Sequence, residues 1–295
     1  MSVELRRLHH AFGMQIEGID LRRLDDAEFA WINEQYKMHS LLLFPGQALE
    51  PHHQVALGRR FGVPSIPPRQ QFNLPNHPEV SILGNSRSEQ GEPIGFFNEM
   101  GVEWHSDSAG YENLDGVTFL YALTVPPMGG ETMFCSMCEA WDALSEAERK
   151  DLRGRKVLHS WNYHNDKVMA ISAGEPLSAE QRAQRPDYWT ELVQSHPVSG
   201  RMLYYLSHNL VKQIDDLDEV ESQRLAMRLV DHATAAERVY SHRWCVGDLV
   251  LWDNRSLMHS ATDVGVYRDA LRVLHRSYSF TGPRALAGGR LAQRY

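Results

Sequence analysis

Gly247-Asp248-Leu249-Val250-Leu251-Trp252-Asp253-Asn254-Arg255-Ser256-Leu257-Met258-His259 is the stretch on which the reading of the fold turns. An apolar strand runs into a polar turn, and His259 follows at the mouth of that turn. A short unbroken apolar run bounded by turn residues is the pattern of a strand buried on both faces. Ser40-Leu41-Leu42-Leu43-Phe44, stopped by Pro45-Gly46, has the same character. Working outward, strands are expected at 13–17, 117–124, 131–134, 202–206, 238–242 and 272–280. Helices are expected at about 26–38, 51–60, 137–152 and 216–232, the first capped by Asp25 with Phe29, Ile32 and Tyr36 on one stripe. No internal repeat or linker divides them. The expectation is one domain over residues 1–295, built of short strands and decorated by helices.

Three stretches break the pattern. Residues 64–75, with Ile66-Pro67-Pro68-Arg69-Gln70-Gln71-Phe72, and residues 86–100 are irregular, and loops of this length around a rigid core commonly bind ligands. Residues 165–190 form a weakly apolar insertion that reads as a lid. The tail from Gly282 to Tyr295 reads as frayed or interfacial.

Composition narrows the partners. The chain has 295 residues, 42% of them hydrophobic and 23% charged, as in an ordinary soluble globular protein. A formal net charge of −8 argues against nucleic acid or an anionic membrane as partner, so a basic residue that matters must act as a local anion site. Neither a membrane-spanning run nor a secretion signal is present, and the expected location is cytoplasmic. Cys135, Cys138 and Cys245 make an odd set that fits reduced thiols, with the CxxC of the first two read as packing. Without a secretion signal the Asn254-Arg255-Ser256 sequon carries no weight.

The chemistry starts from Trp104-His105-Ser106-Asp107. On an extended backbone residues i and i+2 share a face, so the His105 imidazole and the Asp107 carboxylate can converge on a divalent metal. With His259 they make two histidines and one carboxylate, the facial set that leaves coordination positions open in non-haem Fe(II) oxygenases. Taken alone, His259 reads as a structural histidine near a strand end rather than a ligand, one of 15 histidines in the chain. Arg272 and Arg276 share one strand face, where inward-pointing guanidinium groups would each need an anion. An exposed edge strand with solvated arginines is the competing reading. Zinc would suit the same ligands in a metallohydrolase, although no general-base glutamate lies beside them on a helix. A non-catalytic jelly-roll binding protein is a third reading.

The sequence resembles the TauD/TfdA family of Fe(II)/2-oxoglutarate-dependent dioxygenases. The matching stretches are Trp104-His105-Ser106-Asp107, Pro127-Met128-Gly129-Gly130-Glu131-Thr132, Trp252-Asp253-Asn254-Arg255 through His259, and Arg272-x-x-x-Arg276. Gly18-Ile19-Asp20-Leu21 and Phe44-Pro45-Gly46-Gln47 fit as well, so the likeness covers nearly the whole chain in order. It implies an α+β fold with a double-stranded β-helix (jelly-roll) core, flanking helices and long active-site loops. It implies Fe(II) on His105, Asp107 and His259, and the distal carboxylate of 2-oxoglutarate on Thr132 and Arg272. Arg276 matches the position that meets the substrate's anionic group. The implied reaction uses O2, releases succinate and CO2, and oxidises an unactivated C–H of a small organic molecule. An even-numbered homo-oligomer is a further family-level expectation.

The substrate is read from fewer residues. Val239-Tyr240-Ser241-His242-Arg243-Trp244 and Phe134-Cys135-x-Met137 resemble the 2,4-dichlorophenoxyacetate dioxygenase branch. The substrate asparagine of the taurine branch falls on Gly101, and its upstream histidine has no counterpart between Gln54 and Asn76. The aromatics Phe72, Phe96, Phe97, Tyr111, Trp161, Tyr163 and Tyr205 could together line a pocket for a partly apolar carboxylate, although each taken singly reads as core rather than pocket. An uncharged natural-product intermediate is the alternative substrate.

Overall fold

The apolar runs occupy the middle of a sheet. In the computed structural model, which describes residues 3–67, 69–96, 102–171, 178–183, 185–262 and 270–281, strand Leu249–Asp253 is buried at every position. It lies between Leu41–Phe44 and Gly116–Thr124, antiparallel to both. The sheet continues outward on one side through Met14–Glu17 to Glu4–Arg7. On the other it runs through Val273–Phe280 and His77–Gly84 to Asn73–Leu74, with Val63–Pro64 also paired to Val273–Phe280. A second sheet has the order Val239–His242, Thr132–Ser136, Leu257–Ala261, Val102–His105.

Side-chain alternation decides what each face of the large sheet covers. Leu249 and Leu251 join Leu42, Phe44 and Phe119 in a core closed by Phe29 and Ile32 of helix Asp26–His39 and by Leu57 of helix Pro51–Phe61. Val250 and Trp252 point the other way, with Leu41, Leu43, Leu120 and Leu274, onto Phe134 and Leu257 of the second sheet. The Phe134 and Trp252 rings meet at 5.2 Å, nearly edge to face. Each fully buried leucine here contributes about 1.5–3 kcal/mol of transfer free energy. A further core lies under helix Glu219–Ala233, which opens on a capping box between Asp218 and Glu221. The protein is thus α+β, with mixed sheets and helices.

Several expectations change. The helix expected over 137–152 is two, Met137–Asp142 and Glu146–Leu152, because Ser145 and Glu148 form a capping box that starts a new helix. The fully exposed pattern of Glu4–Arg7 has no period to betray it, yet it pairs as an edge strand. Val273–Phe280 is flanked on both sides, so the edge-strand reading of the arginines does not hold. Within the expected lid, helix Trp161–Ile171 ends, helix Ala179–Ala183 follows and strand Tyr188–Glu191 begins, while 172–177 and 184 lie outside the described residues. So does the tail from 282. Cys135 and Cys138 are buried and free, and burial raises both thiols' pKa, Cys138 to about 12. They pack as small apolar side chains.

Candidate active site

Strand register brings the metal-ligand candidates together. His105 ends one strand of the second sheet and is the direct cross-strand partner of His259. Their ring centroids are 4.1 Å apart. Asp107 sits one turn residue beyond, with Oδ1 3.8 Å from His105 Nε2 and Oδ2 3.9 Å from His259 Nε2. The three offer ligand atoms that all lie within 4.8 Å of one another.

Their protonation suits a metal. The Nδ1–H of His105 donates to the Glu103 carbonyl at 2.7 Å, which turns the Nε2 lone pair toward Asp107, the arrangement usual for a metal-ligating histidine. Burial pushes the pKa of both His105 and His259 down despite the nearby carboxylate, so both imidazoles are neutral. Burial opposes charge on Asp107 as well, but the charge and hydrogen bond of Arg276, joined by the histidines only where they are protonated, hold the carboxyl well below its ordinary range. Two neutral imidazoles and one carboxylate fit Fe(II).

Asp107 is gripped from the large sheet. Arg276 Nη2 lies 2.8 Å from Oδ1, and the Thr118 hydroxyl donates to Oδ2 at 2.7 Å. Asn254, fully buried, organises the surroundings. Its Oδ1 accepts from the Asp107 N–H and from Trp252 Nε1, and its Nδ2 donates to Thr118 Oγ1 at 2.8 Å. In the sequence Asn254 stands out only as part of the Trp252-Asp253-Asn254-Arg255 motif, and nothing in the sequence marks Thr118. The polar pair Asp253-Asn254, directly after the apolar run that ends at Trp252, is the sequence signal for Asn254.

Thr132 begins its strand opposite Ala261 and His242. Its hydroxyl oxygen accepts from Trp244 Nε1 at 3.1 Å, which leaves the hydroxyl proton free to donate elsewhere. Trp244, buried, was also missed. Arg272 is buried, with Nε donating to the Gly130 carbonyl at 3.1 Å and its backbone N–H to Asn85 Oδ1. Gly130 has a φ of 75°, and a Cβ there would come within 3.1 Å of Arg272 Cδ. The Gly-Gly turn thus makes room for the arginine.

The expected aromatics divide. Phe72 packs 6.0 Å from Phe96, whose ring lies 3.9 Å below the Arg69 guanidinium. Tyr111 packs on Tyr278 and Phe280. Tyr205, expected to line a pocket, is instead wholly buried, with its hydroxyl 3.1 Å from Ser106 Oγ. Its ring supports the turn between His105 and Asp107 and offers a ligand no surface. Tyr163 donates to Glu219, and Phe97 lies outside the described residues.

Two histidines and a carboxylate brought together between two packed sheets, with a buried arginine beside a Gly-Gly turn, suit an Fe(II)/2-oxoglutarate-dependent dioxygenase. The chain belongs to the family described as taurine catabolism dioxygenase TauD, TfdA family, which matches residues 4–278. It is similar to the alpha-ketoglutarate-dependent 2,4-dichlorophenoxyacetate dioxygenase of Cupriavidus pinatubonensis, 34% identical over 92% of this chain and 97% of that one. The (S)-phenoxypropionate/alpha-ketoglutarate-dioxygenase of Delftia acidovorans is 33% identical over 84% of this chain and 86% of its own length. Among solved structures, AAD-2 in complex with Mn(II) and N-oxalylglycine superposes with a TM-score of 0.78 at 26% identity, covering 96% of this chain and 98% of that one. The enzyme therefore requires Fe(II), 2-oxoglutarate and O2 and acts on a small molecule.

Proposed function

We propose that this dioxygenase oxidises an unactivated C–H bond of a small, partly apolar organic acid, with His105, Asp107 and His259 holding the iron. The chain reads as one domain over residues 1–295, and its two facing sheets support a double-stranded β-helix core. Thr132 and Arg272 hold the distal carboxylate of 2-oxoglutarate, with Trp244 fixing which way the threonine hydroxyl donates. Bound Fe(II) supplies O2 activation coupled to oxidative decarboxylation of 2-oxoglutarate to succinate and CO2. Arg276 orients the substrate through its carboxylate, and Phe72 and Tyr111 wall the apolar part.

The observation that carries the substrate class is the charge around Arg276. Burial opposes its charge, yet Asp107 keeps it firmly cationic. A metal draws on the same Asp107 oxygens, which frees the guanidinium to take another anion. Arg69 adds the same sign. Although its side chain reaches solvent, burial against its surroundings and the charges of Arg185 and Arg276 lower its pKa. A mouth lined by like charges in a chain of net −8 favours an incoming carboxylate.

Anaerobic addition of Fe(II) and then 2-oxoglutarate to the apoprotein should give a visible charge-transfer band that His105→Ala abolishes. Succinate formation should be coupled most tightly to aryloxyalkanoates and related acids in a panel that also holds sulfonates and neutral terpenoids. Arg276→Gln should raise KM for the preferred acid at least about 30-fold, the effect of losing roughly 2 kcal/mol from a buried charge pair. An unchanged KM, or a neutral compound as the best substrate, overturns the carboxylate assignment.

A further inference from the structure

We infer a second metal site, distinct from the dioxygenase centre, formed by His9, His10 and Glu139 and suited to Zn²⁺ or a similar first-row ion. Among the described residues it is one of two groups of three histidine, cysteine or carboxylate side chains whose ligand atoms all lie within 4.8 Å of one another. The other is the triad itself. His259 of the triad stands opposite Phe134 within strand Thr132–Ser136, whereas Glu139 lies in the helix that follows Ser136. No residue belongs to both groups, and each is a separate cluster of ligand atoms.

Each donor is set up for coordination. His9 Nε2 lies 3.1 Å from the Glu237 carbonyl, so the proton sits on Nε2 and the Nδ1 lone pair is left for a ligand. A histidine whose second nitrogen donates to a backbone carbonyl is the common outer arrangement of metal ligands. His9 Nδ1 lies 3.9 Å from Glu139 Oε2, and His10 Nε2 lies 2.6 Å from Oε1. Glu139 Oε2 is buried and has no hydrogen-bond partner among the described residues, an arrangement costly for a carboxylate oxygen unless a cation meets it. The Ala11 N–H approaches His9 Nδ1 only at a long 3.3 Å and is the single contact an ion would displace there. Ligand atoms around a tetrahedral ion with bonds near 2.0 Å stand about 3.3 Å apart. The His9 and Glu139 atoms lie slightly beyond that spacing, and the His10 ring, 65% exposed, is free to move back to reach it. Two imidazoles select a first-row transition ion over Ca²⁺ or Mg²⁺, and the exposure of His10 leaves one position for water.

The site would clamp the N-terminal hairpin to the body of the protein. His9 and His10 lie in the turn between strands Glu4–Arg7 and Met14–Glu17, while Glu139 and Glu237 belong to segments flanking the second sheet. Neighbouring Phe12 is buried in the core between the sheets, so an ion here holds a strand that is otherwise an exposed edge.

The test is Zn²⁺ binding by the full-length, chelator-treated chain, measured by equilibrium dialysis with elemental analysis. A His105→Ala/His259→Ala chain should still bind one equivalent, and X-ray absorption should show imidazole and carboxylate ligands. Adding His10→Ala, a change at an exposed side chain, should weaken that binding at least tenfold, and Glu139→Gln should abolish it. The single variant Glu139→Gln should keep its Fe(II)- and 2-oxoglutarate-dependent band, showing that it is folded and that the two sites are separate. Failure of the triad-disabled chain to bind zinc overturns the proposal, as does binding that ignores both substitutions, and neither result bears on the dioxygenase assignment.

Discussion

Thr118→Val tests whether the hydrogen bonds behind Asp107 prepare it for iron. The substitution keeps the β-branched shape in a fully buried strand position and removes one oxygen. That oxygen donates to Asp107 Oδ2 at 2.7 Å and accepts from Asn254 Nδ2 at 2.8 Å. A hydrogen bond to a charged group contributes about 1.5–3 kcal/mol. Asn254 Nδ2 keeps only the Gly116 carbonyl at 3.3 Å, which adds to the loss. Held on one oxygen only, by Arg276, the carboxylate should bind Fe(II) roughly 10–100-fold more weakly, the range that loss of an outer-shell partner produces and the one the bond energy implies. The assay is anaerobic Fe(II) titration at saturating 2-oxoglutarate, read from the charge-transfer band, with urea unfolding of the apoprotein as the control for stability. Thr118→Ser, which restores the hydroxyl, should recover most of the affinity. If the valine variant binds Fe(II) as wild type does, or serine fails to rescue it, Asp107 is positioned by its backbone and the reasoning is wrong.

Trp244→Phe should raise KM for 2-oxoglutarate about 2–10-fold, the value of one neutral hydrogen bond, with a smaller change in kcat, because Thr132 would lose the donor that orients its hydroxyl. Gly130→Ala should weaken 2-oxoglutarate binding while leaving Fe(II) affinity intact, since the added methyl meets Arg272 at 3.1 Å in a backbone region that disfavours a side chain; equal loss of both would point to general unfolding. His159 is 1% exposed, and burial pushes its pKa down to about 3. Its folded pKa is below the unfolded value near 6.5, so its stabilising effect is complete above that value and declines as pH falls toward 3. It should account for about 2 kcal/mol of lost stability between pH 7 and pH 5, and urea midpoints for His159→Gln should show a correspondingly flatter pH dependence.

The site was legible where chemistry is carried by residue type and spacing. His105 and Asp107 needed only the period of an extended chain, and the apolar run into Asn254 marked the end of a buried strand. Cross-strand register was not legible, because nothing local in either strand says that His259 stands opposite His105. The same gap hid Thr118 and Trp244, which act through partners over a hundred residues away in one case and eleven in the other. Tyr205 failed for a different reason: an aromatic near a binding loop reads alike whether it faces the pocket or supports its floor. The helix break at Ser145 was readable from the Ser-x-x-Glu box and was masked by the apolar stripe running through it.

Arg276 joins the halves of the site. The histidines come from the second sheet, while Arg276 and Thr118 come from the large one, and Asp107 is the group both reach. Arg276 and a metal therefore compete for the same carboxylate, and both are cations. Replacing Arg276 with glutamine should weaken the organic acid while strengthening Fe(II) binding at neutral pH, since a competing positive charge is gone. It should also make Fe(II) binding more sensitive to acid, because Arg276 is the leading influence that holds the Asp107 pKa down against burial. As that pKa rises, protons compete with iron at a higher pH than in wild type. Opposite changes in the two affinities mark a residue that serves the substrate at the expense of the metal. Parallel losses would mean that Arg276 chiefly holds Asp107 in place.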